Sequence, residues 1–292
     1  PGGFDYYTYS NLNDNLEPTN GHGTAVAGII GALNNNGIGI SGIAGGDLQS
    51  ANPGCMLYSF GVFPAPLTIL NNNLVTDYFA LSSNCADAIL KGSAKTTTGY
   101  GFGLDILNCS WGFKSSDINY GNWSELTALL KKAVVDCWRN NCVLVASRGN
   151  DGTDGFIVPA CYDDKLLISV GASGRNGGNL AMESIPNSDY FNSSFGENMD
   201  LIAPGINQLV ISTNLRNNLI SPPQEFCDNT TLGYRCFDGT SAAAPHVSGV
   251  AALMMSKHHP LNPNFPAPNK LSNDDVENIL QKSASDRNNL GY

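Results

Sequence analysis

The chain has 292 residues, of which 42% are hydrophobic and 14% charged, and its formal net charge is −10. This length and hydrophobic fraction suffice for one large core, so we expect a single α/β domain over residues 1–292. With 15 basic against 25 acidic residues and no basic cluster, the chain lacks the surface that nucleic acid requires. No apolar run approaches the ~20 residues of a transmembrane helix, and an acidic surface suits a soluble, secreted or extracytoplasmic protein.

Strands alternate with helices along the chain, which predicts a central parallel sheet with helices on both faces. Strands 143–147 and 166–170 are short and continuously apolar, as buried parallel strands require. In chain order the pattern predicts helix 23–33, strand 56–63, helix 76–91, strand 105–111, a helix opened by Ser124, strands 143–147, 166–170 and 199–203, helix 241–256 and helix 273–283.

The eight cysteines are compatible with disulfides in an oxidising compartment, or with reduced thiols buried in a large core. Cys137 and Cys142 bracket a predicted helix-to-strand turn, and Cys227 and Cys236 bracket a polar loop. These two pairs are the predicted disulfides. No CxxC pair occurs, so a structural zinc site is not expected.

Three residues stand in segments that are unusual for purely structural sequence. His22 lies between two glycines at the start of a predicted helix of small residues. It is either an ordinary helix-terminal histidine or a histidine that can approach a neighbouring side chain closely. Ser241 stands where a helix is predicted to begin, so it is either an N-cap or a nucleophile close to the partly positive N–H groups of the helix N-terminus. The three alanines that follow it indicate that another group approaches this helix closely, which favours the nucleophile. Asn150 follows a strand end, as a turn former or as an amide donor to an oxyanion.

In chain order, a GHGT segment at His22, a GNDG segment at Asn150 and a GTSAAAPHVSG segment at Ser241 together resemble the subtilase family of serine endopeptidases. The resemblance covers nearly the whole chain and implies the three-layer, subtilisin-like α/β fold. It also implies that Ser241 attacks the scissile carbonyl and that His22 takes its proton. The Asn150 side chain and the Ser241 backbone N–H would then bind the oxyanion.

The resemblance further implies a monomer that acts on extended peptide or protein substrates and is made with an N-terminal propeptide. Ser110-Trp111-Gly112 is similar to the strand that pairs with substrate. Pro159, within Val158-Pro159-Ala160, is similar to a proline of the S1 pocket segment that is commonly cis in the family. Asp151 would favour a basic or polar side chain in that pocket.

Residues 32–40 are similar to the family's calcium loop. The resemblance implies Ca²⁺ ligands from the carbonyls of Leu33, Ile38 and Ile40 and from the Asn36 or Asn35 side chain. This copy is one residue longer than the family pattern, so the ligand register stays open. A glycine-rich turn without an ion is the alternative.

The catalytic aspartate of the family is not found in this sequence. The family carries it in an Asp-Ser-Gly or Asp-Thr-Gly turn about 30 to 40 residues before the histidine, whereas 21 residues precede His22. Asp5 and Asp14 lie in that stretch, but neither is followed by such a turn. The chain also opens at Pro1 without Met or signal peptide, so we expect an N-terminally truncated form. The sheet should then lack the interior strand that ends in the aspartate and should expose unpaired backbone there.

Two further departures bear on activity. Arg148 stands where the family usually has Ala or Ser, beside the oxyanion asparagine, and is expected to disturb that donor or reach Asp151 or Asp154. Trp111 and the SAAAP segment resemble the kexin branch, which cleaves after paired basic residues, but Lys114 lies where that branch has adjacent aspartates. Broad specificity is therefore favoured over kexin-like processing. The third possibility is a pseudoenzyme that binds peptide without cleaving it.

Overall fold

The computed structural model describes residues 2–5, 10–11, 22–37, 39–47, 49, 53–62, 69–70, 73–74, 78–117, 123–162, 165–174, 182–183, 191–205, 208–211, 234–258 and 270–285. The helices are α1 His22–Gly31, α2 Tyr78–Ser93, α3 Trp123–Arg139, α4 Thr240–Lys257 and α5 Asn273–Ser283. The strands are β1 Gly2–Asp5, β2 Ser10–Asn11, β3 Tyr58–Gly61, β4 Ile69–Leu70, β5 Asn73–Leu74, β6 Ile106–Cys109, β7 Phe113–Lys114, β8 Val143–Ser147, β9 Ile157–Val158, β10 Ile168–Ser173, β11 Met182–Glu183, β12 Phe191–Asn192, β13 Leu201–Pro204, β14 Gln208–Ile211 and β15 Tyr234–Phe237.

The main sheet is parallel, with strand order β13-β10-β8-β6. One core cluster joins Leu107 and Leu144 of this sheet to α2 and α3, and includes Leu130. A second cluster joins Val145 and Val170 to α4 and α5. Side chains of successive strand residues point to opposite faces, so both faces of the sheet are buried under helices. The three-layer α/β prediction is confirmed.

A smaller sheet, in the order β2-β1-β3, runs beside the main one, with β1 parallel to β3. Within the described residues, β3 pairs with β1 alone and β6 pairs with β8 alone. Yet Val62, which follows β3, and Leu107 of β6 belong to one core cluster. The parallel sheet is therefore interrupted between β3 and β6 while the core beneath it is shared.

Helix α4 is deeply buried because its first turns carry small side chains. Ala242, Ala243 and Ala244 are inaccessible to solvent. Helix α1 packs against this end of α4 through Ala25 and Ile29. Small residues let the two helices approach closely, as the sequence predicted for the His22 and Ser241 segments.

One disulfide prediction is wrong. Cys137 and Cys142 are free thiols, as are all the other cysteines whose side chains the structure describes: Cys55, Cys85, Cys109 and Cys161. Cys137 Sγ lies 3.7 Å from the carbonyl oxygen of Cys142, inside the α2–α3 core. A core of this size needs no crosslink at that turn. Cys227 lies outside the described residues and only the backbone of Cys236 is described, so the second pair stays a prediction.

Across the part of the chain that is described, no helix is long and apolar enough to cross a membrane.

Candidate active site

A cleft opens at the carboxyl ends of β6 and β8, where the N-terminus of α4 meets them. It encloses about 230 Å³. Ligand sites of α/β proteins commonly lie beyond the carboxyl ends of parallel strands. The lining residues are Trp111, Gly112, Phe113, Lys114, Ser147, Gly149, Asn150, Asp151, Ile157, Thr240 and Ser241.

Ser241 is the second residue of α4, and it exchanges two hydrogen bonds with Ser110. The Ser241 hydroxyl donates to the Ser110 carbonyl oxygen at 3.1 Å. The Ser110 hydroxyl donates in turn to the Ser241 carbonyl oxygen at 2.9 Å. That carbonyl would ordinarily accept from the N–H four residues on, but Pro245 stands there and has none. Ser110 therefore supplies the donor that the helix lacks.

Asn150 lies just beyond β8, and its amide is held in one orientation. Asn150 Oδ1 accepts from the Thr240 backbone N–H at 3.0 Å and from the Thr240 hydroxyl at 2.9 Å. The Thr240 hydroxyl also accepts from the Gly149 backbone N–H at 3.0 Å. With its oxygen engaged by two donors, the amide keeps its NH₂ group for another acceptor. This is the orientation that an oxyanion donor needs.

His22 is the half-buried first residue of α1. Its ring meets the edge of the Phe237 ring at 5.1 Å between centroids, nearly perpendicular. Phe237 ends β15, and three residues later α4 begins. Packing of α1 on α4 thus places His22 beside the end of the strand that leads into α4, but His22 is not among the residues that line the cleft. The Ser241 hydroxyl is engaged by Ser110 and not by His22.

The other predicted substrate contacts lie around the same cleft. Trp111 and Gly112 line one wall, with the Trp111 ring packed on Phe113. Asp151 lines the opposite wall, and both its carboxylate oxygens accept from Lys114 Nζ, at 3.0 and 3.1 Å. The Val158–Pro159 peptide bond is cis, and Pro159 follows β9, which carries the lining residue Ile157.

Arg148 is nearly fully buried next to this site. Its Nη1 donates to the Gly155 carbonyl at 3.0 Å and its Nη2 to the Asp154 carbonyl at 3.5 Å. The guanidinium is thus bonded to main-chain oxygens of the loop before β9. This is a different arrangement from the carboxylate contact that the sequence suggested.

Sequence reasoning missed Ile157 and Thr240 as cleft residues, whereas it had placed Lys114 where the kexin branch has its aspartates. Lys114 and Ile157 pair across β7 and β9, two strands of two residues each. Such short strands carry no recognisable alternation. Thr240 stood beside the predicted nucleophile, and its position next to Ser241 was the available signal.

The predicted calcium loop follows α1. Leu33 and Ile40 are half-buried and Asn36 is exposed, whereas Ile38 lies outside the described residues. Asn35, Gly37 and Gly39 have positive φ, so the backbone turns sharply. Asn34 Oδ1 is buried without a hydrogen-bond partner among the described groups. No group of three or more His, Cys, Asp or Glu side chains able to hold a metal occurs in the described ranges. Residues 32–37 and 39–40 of the loop offer carbonyl and amide oxygens, which suit Ca²⁺, and Asp47 is bridged to Asn34 beside it.

A parallel sheet between helix layers, with Ser241 and Asn150 lining a cleft at its carboxyl end, defines a three-layer α/β protein. The profile described as "Subtilase family" matches residues 4–292, so the chain belongs to the subtilase family.

Individual relatives agree with this assignment. Subtilisin DY from Bacillus licheniformis is 31% identical over 83% of this chain and 66% of its own length. M-protease from Shouchella clausii strain KSM-K16 is 29% identical over 91% of this chain and 50% of its own length. The chain thus spans between one half and two thirds of these curated relatives. Fervidolysin from Fervidobacterium pennivorans, described as a keratinolytic enzyme related to subtilisin, shares the fold with a TM-score of 0.65 at 23% identity, over all of this chain and 36% of its own.

Proposed function

We propose that the chain is the catalytic part of a broad-specificity serine endopeptidase that hydrolyses peptide bonds through an acyl-enzyme. Ser241 attacks the scissile carbonyl, and His22 takes the hydroxyl proton and gives it to the leaving amine. The Asn150 amide and the Ser241 backbone N–H stabilise the oxyanion. The observation that carries the proposal is the Asn150 amide, whose oxygen is fixed by Thr240 beside Ser241.

The aspartate that orients His22 is proposed to lie upstream of Pro1. The interruption between β3 and β6 supports this, because each strand has a parallel partner on one edge and the same core cluster includes Val62, next after β3, and Leu107 of β6. A strand entering there would pair with both edges, and its carboxyl end would lie on the side where the cleft opens.

The test is labelling by a small fluorophosphonate of two proteins, the present chain and the gene product extended upstream. We expect the extended protein to be labelled at Ser241 and to hydrolyse casein. Ser241→Ala should abolish both signals, and His22→Ala should lower them by several orders of magnitude. The matched control is Ser115→Ala, which removes a hydroxyl outside the cleft lining.

An extended protein that folds, binds peptide and is neither labelled nor active would contradict the proposal. That result would favour the pseudoenzyme. Kexin-like processing finds less support, because Lys114 forms a salt bridge with Asp151. A basic side chain of the substrate would need that carboxylate as its own partner.

A structural Ca²⁺ ion in the loop after α1 is also proposed. Leu33, Asn36, Ile38 and Ile40 would supply its oxygens, and the unpartnered Asn34 Oδ1 supports a cation nearby. Calcium at 100 times its Kd would stabilise the fold by about 2.7 kcal/mol. Chelation should therefore lower Tm by several degrees and added Ca²⁺ should restore it. An unchanged Tm with no calcium retained would contradict the ion site.

Secretion, an N-terminal propeptide and a monomeric state remain part of the same proposal. The acidic composition and the family membership support them.

A further inference from the structure

Ile157 lines the cleft, is buried and lies against two other lining residues, Gly112 and Gly149, so it forms the floor between them. A methyl group added at Gly112 would fall 2.7 Å from Ile157 Cγ2, and one added at Gly149 would fall 2.2 Å from Ile157 Cδ1. Both gaps are shorter than any real carbon contact, so Ile157 already touches both walls. A side chain entering between Gly112 and Gly149 therefore stops at Ile157.

The floor is held in place by strand pairing. Ile157 and Lys114 are partners across the antiparallel β7–β9 pair, and Val158 pairs with Phe113. Ile157 and Phe113 are both buried. The depth of the cleft is thus set by a buried side chain whose backbone is held by strand pairing.

Charge also restricts the cleft. Lys114 and Asp151 both line it and form an ion pair with two contacts of about 3 Å. A basic substrate side chain would meet the Lys114 ammonium, and an acidic one would meet the Asp151 carboxylate. Either would have to displace the existing partner before it gained a counter-charge.

We propose that the cleft accepts a small, uncharged side chain, such as that of Gly, Ala or Ser, from the substrate residue whose carbonyl Ser241 attacks. This inference rests on the proposed peptidase function and narrows it at one position of the substrate, the P1 residue.

The experiment measures kcat/KM of the upstream-extended protein on peptides that differ only at P1, which is Ala, Phe or Arg. A small fluorophosphonate, which needs no P1 side chain, is the parallel readout of the nucleophile. We expect Ala to exceed Phe and Arg by about tenfold or more, the scale on which pockets discriminate side-chain size. Ile157→Ala should raise the Phe-to-Ala ratio at least tenfold. Ile157→Val, a milder change, should move it less in the same direction.

Two further variants sharpen the test. Phe156→Ala removes an exposed ring that does not line the cleft and should leave the P1 ratios unchanged. Lys114→Ala frees the Asp151 carboxylate and should raise the rate on the Arg peptide relative to the Ala peptide.

Normal fluorophosphonate labelling with a preference for Phe, unaltered by either Ile157 variant, would overturn the inference and leave the peptidase intact. Absence of labelling and of cleavage of every peptide would instead overturn the proposed function, and the inference with it.

Discussion

At the scale of single residues, the site depends on Thr240 more than its side chain suggests. The Thr240 hydroxyl donates to Asn150 Oδ1 and accepts from the Gly149 N–H, so one oxygen fixes both neighbours. Thr240 is 1% exposed, which leaves water no easy access to replace these bonds. The orientation of Asn150 is therefore a property of the α4 N-terminus as much as of Asn150 itself.

Thr240→Val should destabilise the protein and impair the Asn150 donor together. Valine keeps the shape but leaves the Gly149 N–H unsatisfied, at a cost of about 1–3 kcal/mol in unfolding free energy. Asn150 Oδ1 loses the hydrogen bond from the Thr240 hydroxyl and keeps only that from the Thr240 N–H. The amide is then less firmly oriented toward the oxyanion, so kcat should fall with little change in KM. Urea unfolding of the present chain and steady-state kinetics of the upstream-extended protein measure the two effects. Thr127→Val, which alters an exposed hydroxyl on α3, is the matched control.

His246 makes the stability depend on pH. Burial lowers its pKa below the ordinary value of 6.5, against an opposing effect of its bond to the Ala242 carbonyl. The unfolded chain thus binds a proton at a higher pH than the folded one does. The stability from this residue is complete above about pH 6.5 and is lost as pH falls through the folded pKa.

His246→Gln should remove this dependence. The unfolding free energy of the parent minus that of the variant should decrease between pH 7 and pH 5, by about 1.4 kcal/mol for each unit of pKa depression. Denaturant titrations at several pH values give the difference curve. A flat or rising difference toward acid would contradict the assignment.

At the scale of elements, helix α4 lacks one backbone hydrogen-bond donor, and Ser110, the residue after β6, replaces it. Pro245 removes the N–H that would satisfy the Ser241 carbonyl, and Ser110, next after β6, donates to that carbonyl instead. Asn108 Nδ2 donates to the Ser110 hydroxyl at 2.9 Å, and Ser248 of α4 donates to Asn108 Oδ1 at 2.8 Å. A chain of hydrogen bonds thus joins β6 and Ser110 to α4, the helix that carries the proposed nucleophile Ser241.

Ser110→Ala should therefore cost about 1–3 kcal/mol, because a buried carbonyl loses its donor. In a Pro245→Ala background the helix has its own N–H again, so the same substitution should cost much less. A double-mutant cycle on unfolding free energy measures this coupling. Equal costs in both backgrounds would show that Ser110 does not serve as the substitute donor.

Elements with strong local signals were predictable and those made by tertiary contact were not. Helix α5 was predicted at its observed bounds, since Ser272 and Asp275 form a capping box. The wholly buried strand β8 was found from its apolar run. The Cys137–Cys142 pair failed, because spacing does not reveal whether two thiols face each other. The candidate residues His22, Asn150 and Ser241 were proposed from motifs and stay predictions as a catalytic set, whereas Ile157 enters the cleft only through the β7–β9 pairing.

At the scale of the whole molecule, the interruption between β3 and β6 limits stability. Each strand presents one edge without a described partner, and unpaired backbone in a sheet is costly unless water reaches it. A chain beginning at Pro1 should therefore be less stable than one that includes the proposed upstream strand.

Hydrogen exchange tests this directly. In the present chain, the amides of β6 that do not face β8 should exchange quickly, while those of β8, paired on both sides, stay protected. Extending the chain upstream should slow exchange at β6 and β3 together and leave β8 unchanged. If the extension protects neither strand, the proposed segment does not pair in the interruption.

The walls on either side of Ile157 consist largely of main chain, and this has an evolutionary consequence. Gly149 has a φ of +106°, and a side chain at either Gly112 or Gly149 would collide with Ile157. A side chain at Gly112 or Gly149 would require Ile157 to move, whereas a smaller side chain at position 157 meets no such collision. Under the proposed peptidase function, a change in the preferred P1 residue of the substrate would therefore require a substitution at position 157. Descendants of this chain should diverge at that position while the surrounding glycines stay fixed.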